Sequence, residues 1–348
     1  MHVLEGICKF KKGLIMNLSR NSNCSISNFK HNVYPATYLV IFILGLIFNL
    51  VSLWFFLTVW KTNRKFGPVN LFMLNLVLSD LMLVCSLPLR AAYYLMESDW
   101  VFGDTLCRIM SFLFYVNMYS SIYFLMVLSV VRFLAITKPY TFAMLKTSRS
   151  AWIVCLMIWV LISLVSIPML NAGTTKDLAS NKTKCLELNP DYNAHKLFTL
   201  IIANYVTMFF GIILPFAVIC ICNIFVVCKL VKIRHMQGTE RPRFRKSIAL
   251  VITVLCIFLT CFLPYHVVRT LFLESEQDIS NNGYGESCKY TERVRKAAVI
   301  TLCLAAGNSC LDPLIYFFAG ENFRQFVLKQ TSEKEIEIPK YTRRIQRQ

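Results

Sequence analysis

The sequence predicts an all-α membrane protein: a seven-transmembrane-helix bundle with a short amphipathic eighth helix, its N-terminus outside and its C-terminus cytoplasmic. Three observations predict it. Of 348 residues, 56% are hydrophobic and 16% charged, against about a quarter charged in a soluble domain. Seven runs are long and apolar enough to cross a bilayer, which takes about 20 residues each. Lys and Arg gather in the short loops between alternate runs, as the positive-inside rule requires.

The runs lie at roughly residues 36–60, 69–95, 107–137, 150–170, 196–231, 246–273 and 294–319. They divide the chain into an outer tail (1–35), a seven-helix domain (36–319), an amphipathic helix eight (320–330) and a cytoplasmic tail (331–348). Continuous apolar runs exclude a β-barrel, whose strands alternate over about ten residues. Residues 1–30 lack the apolar stretch of a cleavable signal peptide, so the first span is expected to act as its own insertion signal. Basic clusters at Lys61–Lys65, Lys138–Arg149 and Lys229–Lys246 mark those loops cytoplasmic. The sequons at Asn17, Asn23 and Asn181 fall on the opposite side, where glycosylation occurs. Both readings outweigh the basic tail residues Lys9, Lys11 and Lys12. The net charge of +18 is therefore a topology signal, and no nucleic-acid partner is expected.

Most of the 14 cysteines lie inside spans as small apolar side chains. Cys24, Cys107, Cys185 and Cys288 lie at the outer side, where thiols oxidise. Four cysteines allow three pairings, and the residues alone do not choose among them. A Cys107–Cys185 bond would pin the longest outer loop over the bundle mouth. A Cys24–Cys288 bond would tie the N-terminal tail to the last outer loop, leaving Cys8 over.

Polar groups inside a membrane are costly and by default functional. Asp80 sits mid-span two, Asn117 and Ser121 share a face of span three, and Asn308 and Asp312 repeat that spacing in span seven. Carboxylates, amides and hydroxyls at one depth suit a hard cation or bridging water; the alternative is a hydrogen-bonded network that holds the helices together. Pro313 follows Asp312 and breaks the helix beside Tyr316. Arg132 lies at the cytoplasmic end of span three, with Asn223, Tyr316 and the cytoplasmic ends of spans five to seven as candidate partners.

Towards the outer side the charges are cationic. Arg90 follows Pro88 in span two, and His266 and Arg269 share a face of span six. Tyr115 and Tyr119 are four apart in span three, and Tyr38 belongs to span one. Two guanidinium forks, phenol hydroxyls and apolar walls call for an anionic, largely apolar ligand. No nucleophile triad, metal-binding His/Cys spacing or phosphate loop is visible, so an enzyme is not expected.

These marks in this order resemble the rhodopsin-like G-protein-coupled receptors. The stretches are Gly45-Leu46-Ile47-Phe48-Asn49, Leu74-Asn75-Leu76-Val77-Leu78-Ser79-Asp80, Cys107, Arg132, Trp159, Pro215, Cys261-Phe262-Leu263-Pro264, Asp312-Pro313-Leu314-Ile315-Tyr316 and Phe323-Arg324-Gln325-Phe326. Val131 stands where most of that family has an acid, Phe262 where it has Trp, Asp312 where it has Asn, and Asn223 where it has Tyr. No Cys follows Cys310, so the family's usual palmitoyl anchor is not expected. Within the family, Leu87–Tyr94, Tyr115–Phe124, Ser150–Ile153, Cys185–Asn189, Pro264–Thr270 and Phe318–Phe323 look like the cysteinyl leukotriene receptors, several leaning to type 2.

The resemblance implies a plasma-membrane receptor for a lipid with a fatty-acid tail, a carboxylate and a thioether-linked peptide. Arg90, Arg269, Tyr115, Tyr119, His266 and Tyr38 would hold it. A sodium ion would sit among Asp80, Asn117, Ser121, Asn308 and Asp312, with no other cofactor. Arg132, Asn223, Pro313 and Tyr316 would relay the signal to a heterotrimeric G protein of the phospholipase-C-coupled class, with calcium release; arrestin is a further partner. The rivals are a receptor for extracellular nucleotides or another anionic lipid, and a cation-coupled transporter using Asp80 and Asp312. The transporter lacks the inverted repeats expected of one.

Overall fold

The computed structural model describes residues 25–319, except 63–65, 139, 141, 143–147, 172, 178–179, 186, 188–193, 238–241 and 283–287. Seven helices among these are long and apolar enough to cross a membrane. In chain order they are α1 (Ser27–Lys61), α2 (Pro68–Leu95), α3 (Asp104–Thr137) and α4 (Ser148–Ser166, ending in a 3₁₀ turn at Ile167–Asn171). A small antiparallel hairpin follows, β1 (Thr175–Asp177) with β2 (Lys182–Lys184), in the register Lys176 to Thr183. Next come α5 (Ala194–Met208, then a π turn at Phe209–Ile213, then Leu214–Gln237) and α6 (Pro242–Ile257, a π turn at Phe258–Phe262, then Leu263–Asn282). Last is α7 (Cys288–Ala306, a break at Gly307, then Asn308–Ala319). Helix eight, at 320–330, lies outside the described residues, as do Asn17, Asn23 and Cys24.

Three helices outrun their apolar runs by six residues or more at their outer ends, and α5 does so at its inner end, reaching Gln237 rather than 231. α1 begins at Ser27 rather than 36, α6 reaches Asn282 rather than 273, and α7 starts at Cys288 rather than 294. The expected boundary between outer tail and helical domain moves accordingly. The added outer turns carry polar side chains that tertiary partners hold: Lys30 pairs with Glu187 at 2.7 Å and His31 bonds Ser98 at 2.9 Å. Arg295 of α7 forks onto Glu276 of α6 at 2.7 and 2.8 Å. Hydropathy alone does not register such turns.

The bundle is apolar outside and polar at its centre. Val40, Leu156 and Ile224 are exposed on the perimeter, while Asn49, Asp80, Asn117, Asn308 and Asp312 are buried inside. With lipid as solvent, such an apolar perimeter is the stable arrangement. Close packing starts at Gly45, where a Cβ would come within 2.8 Å of Val84, so α1 and α2 touch almost backbone to side chain. Prolines account for the π turns. Pro215 and Pro264 each clash with the carbonyl four residues back, which is Gly211 in one helix and Thr260 in the other. Both residues lie inside the π turns.

Candidate functional site

Two cationic clusters meet below the outer mouth. In the first, the Arg90 Nη2 donates to the Met110 carbonyl at 2.7 Å, and its guanidinium lies 4.9 Å from the Phe114 ring centre. Arg90 is 4% exposed, and its Nε has no hydrogen-bond partner. Tyr38 is buried beside it, stacked at 5.3 Å on Tyr34, which in turn stacks at 4.3 Å on Tyr94. In the second cluster, the Arg269 Nη1 donates to the hydroxyls of Tyr265, at 2.6 Å, and of Tyr115. Tyr119 stacks on Tyr115 at 6.4 Å and lies 5.7 Å from His266, whose Nε2 is buried without a partner.

All six residues expected to bind ligand are thus brought to these clusters. Phe114 joins the two, lying 5.7 Å from Tyr115 and 6.3 Å from Tyr265 as well as under Arg90. The sequence reading missed Phe114 and Tyr265. Tyr265 had a usable signal, since it sits one turn before Arg269 on the same face. Phe114 had none among 27 phenylalanines.

Neither Arg90 nor Arg269 meets a carboxylate among the described residues. Phenols, a peptide carbonyl and ring faces are neutral, so one buried and one half-buried positive charge are left uncompensated. A buried cation without a counter-ion is strongly unfavourable. The arrangement therefore favours an incoming anion.

The outer loop forms a pinned lid. Cys107 of α3 is disulfide-bonded to Cys185, with their Cα atoms 5.9 Å apart. Cys288 is also disulfide-bonded. Trp100 donates its backbone N–H to the Thr183 carbonyl at 2.8 Å, and Thr183 donates its own to Asp99 at 2.9 Å. The Lys182 ammonium at 2.7 Å from Glu97 holds that carboxyl below its ordinary pKa. Asn181 occupies the exposed hairpin turn with φ 53°.

At mid-membrane, the Asn117 Nδ2 donates to Ser79 at 3.1 Å and Asp80 at 3.2 Å, and Ser79 bonds Ser120 at 2.6 Å. Asp80 Oδ2, Ser121 Oγ, Asn308 Oδ1 and both Asp312 oxygens are buried with no well-formed hydrogen bond. Asp312 lies close enough to Asp80 for the two to interact electrostatically. These orphaned oxygens fit a hard cation, which takes oxygen ligands. Two carboxylates with amides and hydroxyls suit sodium better than a transition metal. Among the described residues no group of three or more His, Cys, Asp or Glu side chains gathers.

Pro313 leaves the Ser309 carbonyl without its helical donor. Asn49 of α1 supplies the missing one, its Nδ2 donating to Ser309 O at 2.8 Å.

At the cytoplasmic end, Arg132 donates to the Ser247 backbone carbonyl, clasping α3 to α6. That carbonyl, rather than Asn223 or Tyr316, is its hydrogen-bond partner. Asn223 is buried with an unpartnered Nδ2, and Tyr316 packs edge-on against Phe56 at 5.6 Å. With α6 held in by α3, this is a closed cytoplasmic face.

Known proteins share this architecture. The family model described as "7 transmembrane receptor (rhodopsin family)" matches residues 48–316. The chain is 45% identical to the cysteinyl leukotriene receptor 2 of Homo sapiens over 306 residues, 88% of this chain and 83% of that protein. It is 38% identical to the cysteinyl leukotriene receptor 1 of Mus musculus over 307 residues, 88% and 84% respectively. A purinoceptor of Meleagris gallopavo is 31% identical over 315 residues, 90% and 84%.

Proposed function

The chain belongs to the rhodopsin family of seven-transmembrane receptors, and on that premise we propose that its outer cavity binds a cysteinyl leukotriene. It is a multi-pass plasma-membrane receptor, not an enzyme or transporter, and its intracellular partner is a heterotrimeric G protein. The observation that carries the ligand reading is the pair of guanidiniums, buried Arg90 and half-buried Arg269, which among the described residues meet no carboxylate and lie among aromatic and apolar walls.

In this reading Arg90 and Arg269 take the ligand's carboxylates in bidentate pairs. Tyr115, Tyr119 and His266 hydrogen-bond its peptide portion, and the apolar side chains around Tyr38 take part of the tail. Ligand shifts the resting equilibrium only through its greater affinity for the active form. That form releases Arg132 from Ser247 as α6 moves outward, opening a groove for a G-protein helix. We assign the G protein to the phospholipase-C-coupled class, so that the output is calcium release. A sodium ion is held by Asp80, Asn117, Ser121, Asn308 and Asp312 in the resting form, and Asn17, Asn23 and Asn181 carry glycans. Arrestin is a further partner, with Thr331, Ser332 and Thr342 as candidate phosphorylation sites.

The test is calcium release from cells expressing the chain, screened against cysteinyl leukotrienes and extracellular nucleotides in parallel. Leukotriene potency should fall sharply in Arg90→Ala and Arg269→Ala at equal surface expression. An unchanged response in both variants would overturn the site. Nucleotide-evoked release without a leukotriene response would favour the second reading, to which the purinoceptor similarity and the phosphate affinity of arginine lend support.

A further inference from the structure

α5 supplies none of the side chains in the two outer clusters, yet its backbone touches one of them. The contact is made at the π turn Phe209–Ile213, where Phe209 and Phe210 face outward and Gly211 and Ile212 are buried. A Cβ on Gly211 would stand 2.8 Å from Cε1 and 3.2 Å from Cδ1 of the Tyr119 ring. An ordinary carbon contact is about 3.5–4.0 Å, so the ring lies where only a glycine leaves room for it.

Backbone conformation does not explain this glycine. Among the described residues Gly103 alone of the glycines has a positive φ, so any L residue could adopt the geometry at 211. Glycine is also a poor choice inside a helix. A methyl group there would have to move something, and the α5 backbone is held on both sides of the contact. Pro215 presses on the Gly211 carbonyl from the next turn, and the Phe210 carbonyl accepts from the Tyr123 hydroxyl at 3.1 Å. Tyr123 stands one turn below Tyr119 on α3, so α3 grips the π turn with one tyrosine and rests the other on it. Tyr119 is the freer partner. Its hydroxyl makes no hydrogen bond among the described residues, and its ring is placed by packing against Tyr115, His266 and Gly211. A methyl at 211 would therefore displace that ring by about 0.7 Å or more. Such a shift can carry the hydroxyl out of the roughly 2.5–3.0 Å range of an O–H···O bond.

We infer, on the leukotriene reading, that Gly211 is a positioning residue for the ligand. Its missing side chain seats the Tyr119 ring on the α5 π turn and so places the hydroxyl within reach of the ligand's peptide portion.

Saturation binding of a tritiated cysteinyl leukotriene to membranes separates Kd from the number of sites. Gly211→Ala should raise Kd about two- to tenfold, the worth of one hydrogen bond, and keep the number of sites. Tyr119→Phe, which keeps the ring and loses the hydroxyl, should show a similar loss. With Tyr119→Leu the ring is gone and the methyl has room, so adding Gly211→Ala there should change Kd by less than about twofold. An unchanged Kd in Gly211→Ala, or fewer sites at an unchanged Kd, would overturn the positioning role. An equal loss with and without the Tyr119 ring would do the same. Should Gly211→Ala alone yield no sites, the pair with Tyr119→Leu decides: sites that return with the Kd of Tyr119→Leu support the role, and none returning overturns it. An unmodified receptor that binds no leukotriene overturns the ligand reading alone, and the same variants are then compared with the nucleotide that evokes calcium release.

Discussion

Arg269 and Arg90 are held by different neutral groups, and the difference sets what each contributes. Two phenol hydroxyls orient Arg269, whereas a peptide carbonyl and the Phe114 ring hold Arg90. A lysine in place of Arg269 keeps the charge and loses the planar fork. It forfeits at least one hydrogen bond to a charged group, about 1.5–3 kcal/mol, or about ten- to a hundredfold in affinity. Leukotriene competition binding on membranes from cells expressing Arg269→Lys should show that loss, and a shift below about twofold would mean that the fork does not grip the ligand. Such charges were legible in the sequence because a guanidinium in an apolar run has few ordinary explanations. Phe114 was not, since one more aromatic ring among apolar neighbours carries no signal of its own, whereas Tyr265 could have been found from its place one turn before Arg269. Which ring bridges the two clusters depends on how α2, α3 and α6 pack.

α7 is the element in which the backbone is least regular. Gly307 interrupts it, and Pro313 frees the Ser309 carbonyl that the Asn49 side chain then takes. Asn49→Ala should therefore leave a buried carbonyl unsatisfied and cost about 1–3 kcal/mol, read as a lower thermal midpoint of the purified receptor. Pro313→Ala restores a backbone N–H that can reach Ser309, so Asn49→Ala should cost less in that background. Equal costs in both backgrounds would show that the two groups do not share the carbonyl. Pro313→Ala should also blunt the agonist response, because a regular helix resists the turning of Tyr316. The prolines that cause these features were visible in the sequence, and so was the interruption at Pro313. The π turns at Phe209–Ile213 and Phe258–Phe262 were not, because one inserted residue barely disturbs an apolar pattern. The helix ends at Ser27 and Asn282 were hidden for another reason: their polar turns are stabilised by Glu187, Ser98 and Arg295, which are distant in sequence.

Across the whole molecule, the outer cations, the mid-membrane oxygens and the Arg132 clasp lie along α2, α3, α6 and α7, so that each can bias the same closed form. The cytoplasmic end of span six was among the partners expected for Arg132, but the particular atom could not have been read from the sequence, because it is a main-chain carbonyl and any residue at 247 would present one. The orphaned oxygens of Asp80, Ser121, Asn308 and Asp312 make a stronger prediction about this coupling. If sodium binds there only while the bundle is closed, agonist and sodium oppose each other by one shared coupling factor, typically about 5–150-fold. Agonist affinity in membranes should then fall as sodium chloride replaces choline chloride at constant ionic strength, which separates specific binding from screening at the outer arginines. Asp312→Asn keeps the shape and removes one charge from the cation's coordination. It should flatten the sodium response while the outer cavity still binds ligand, whereas Arg90→Ala should weaken binding and leave the sodium dependence of what remains. A receptor indifferent to the choice between sodium and choline would reduce the oxygen cluster to a structural network between α2, α3 and α7. The two arginines would keep their role in either case, because their demand for an anion rests on the burial of Arg90, the half-burial of Arg269 and the lack of an acidic partner among the described residues, not on the ion below them.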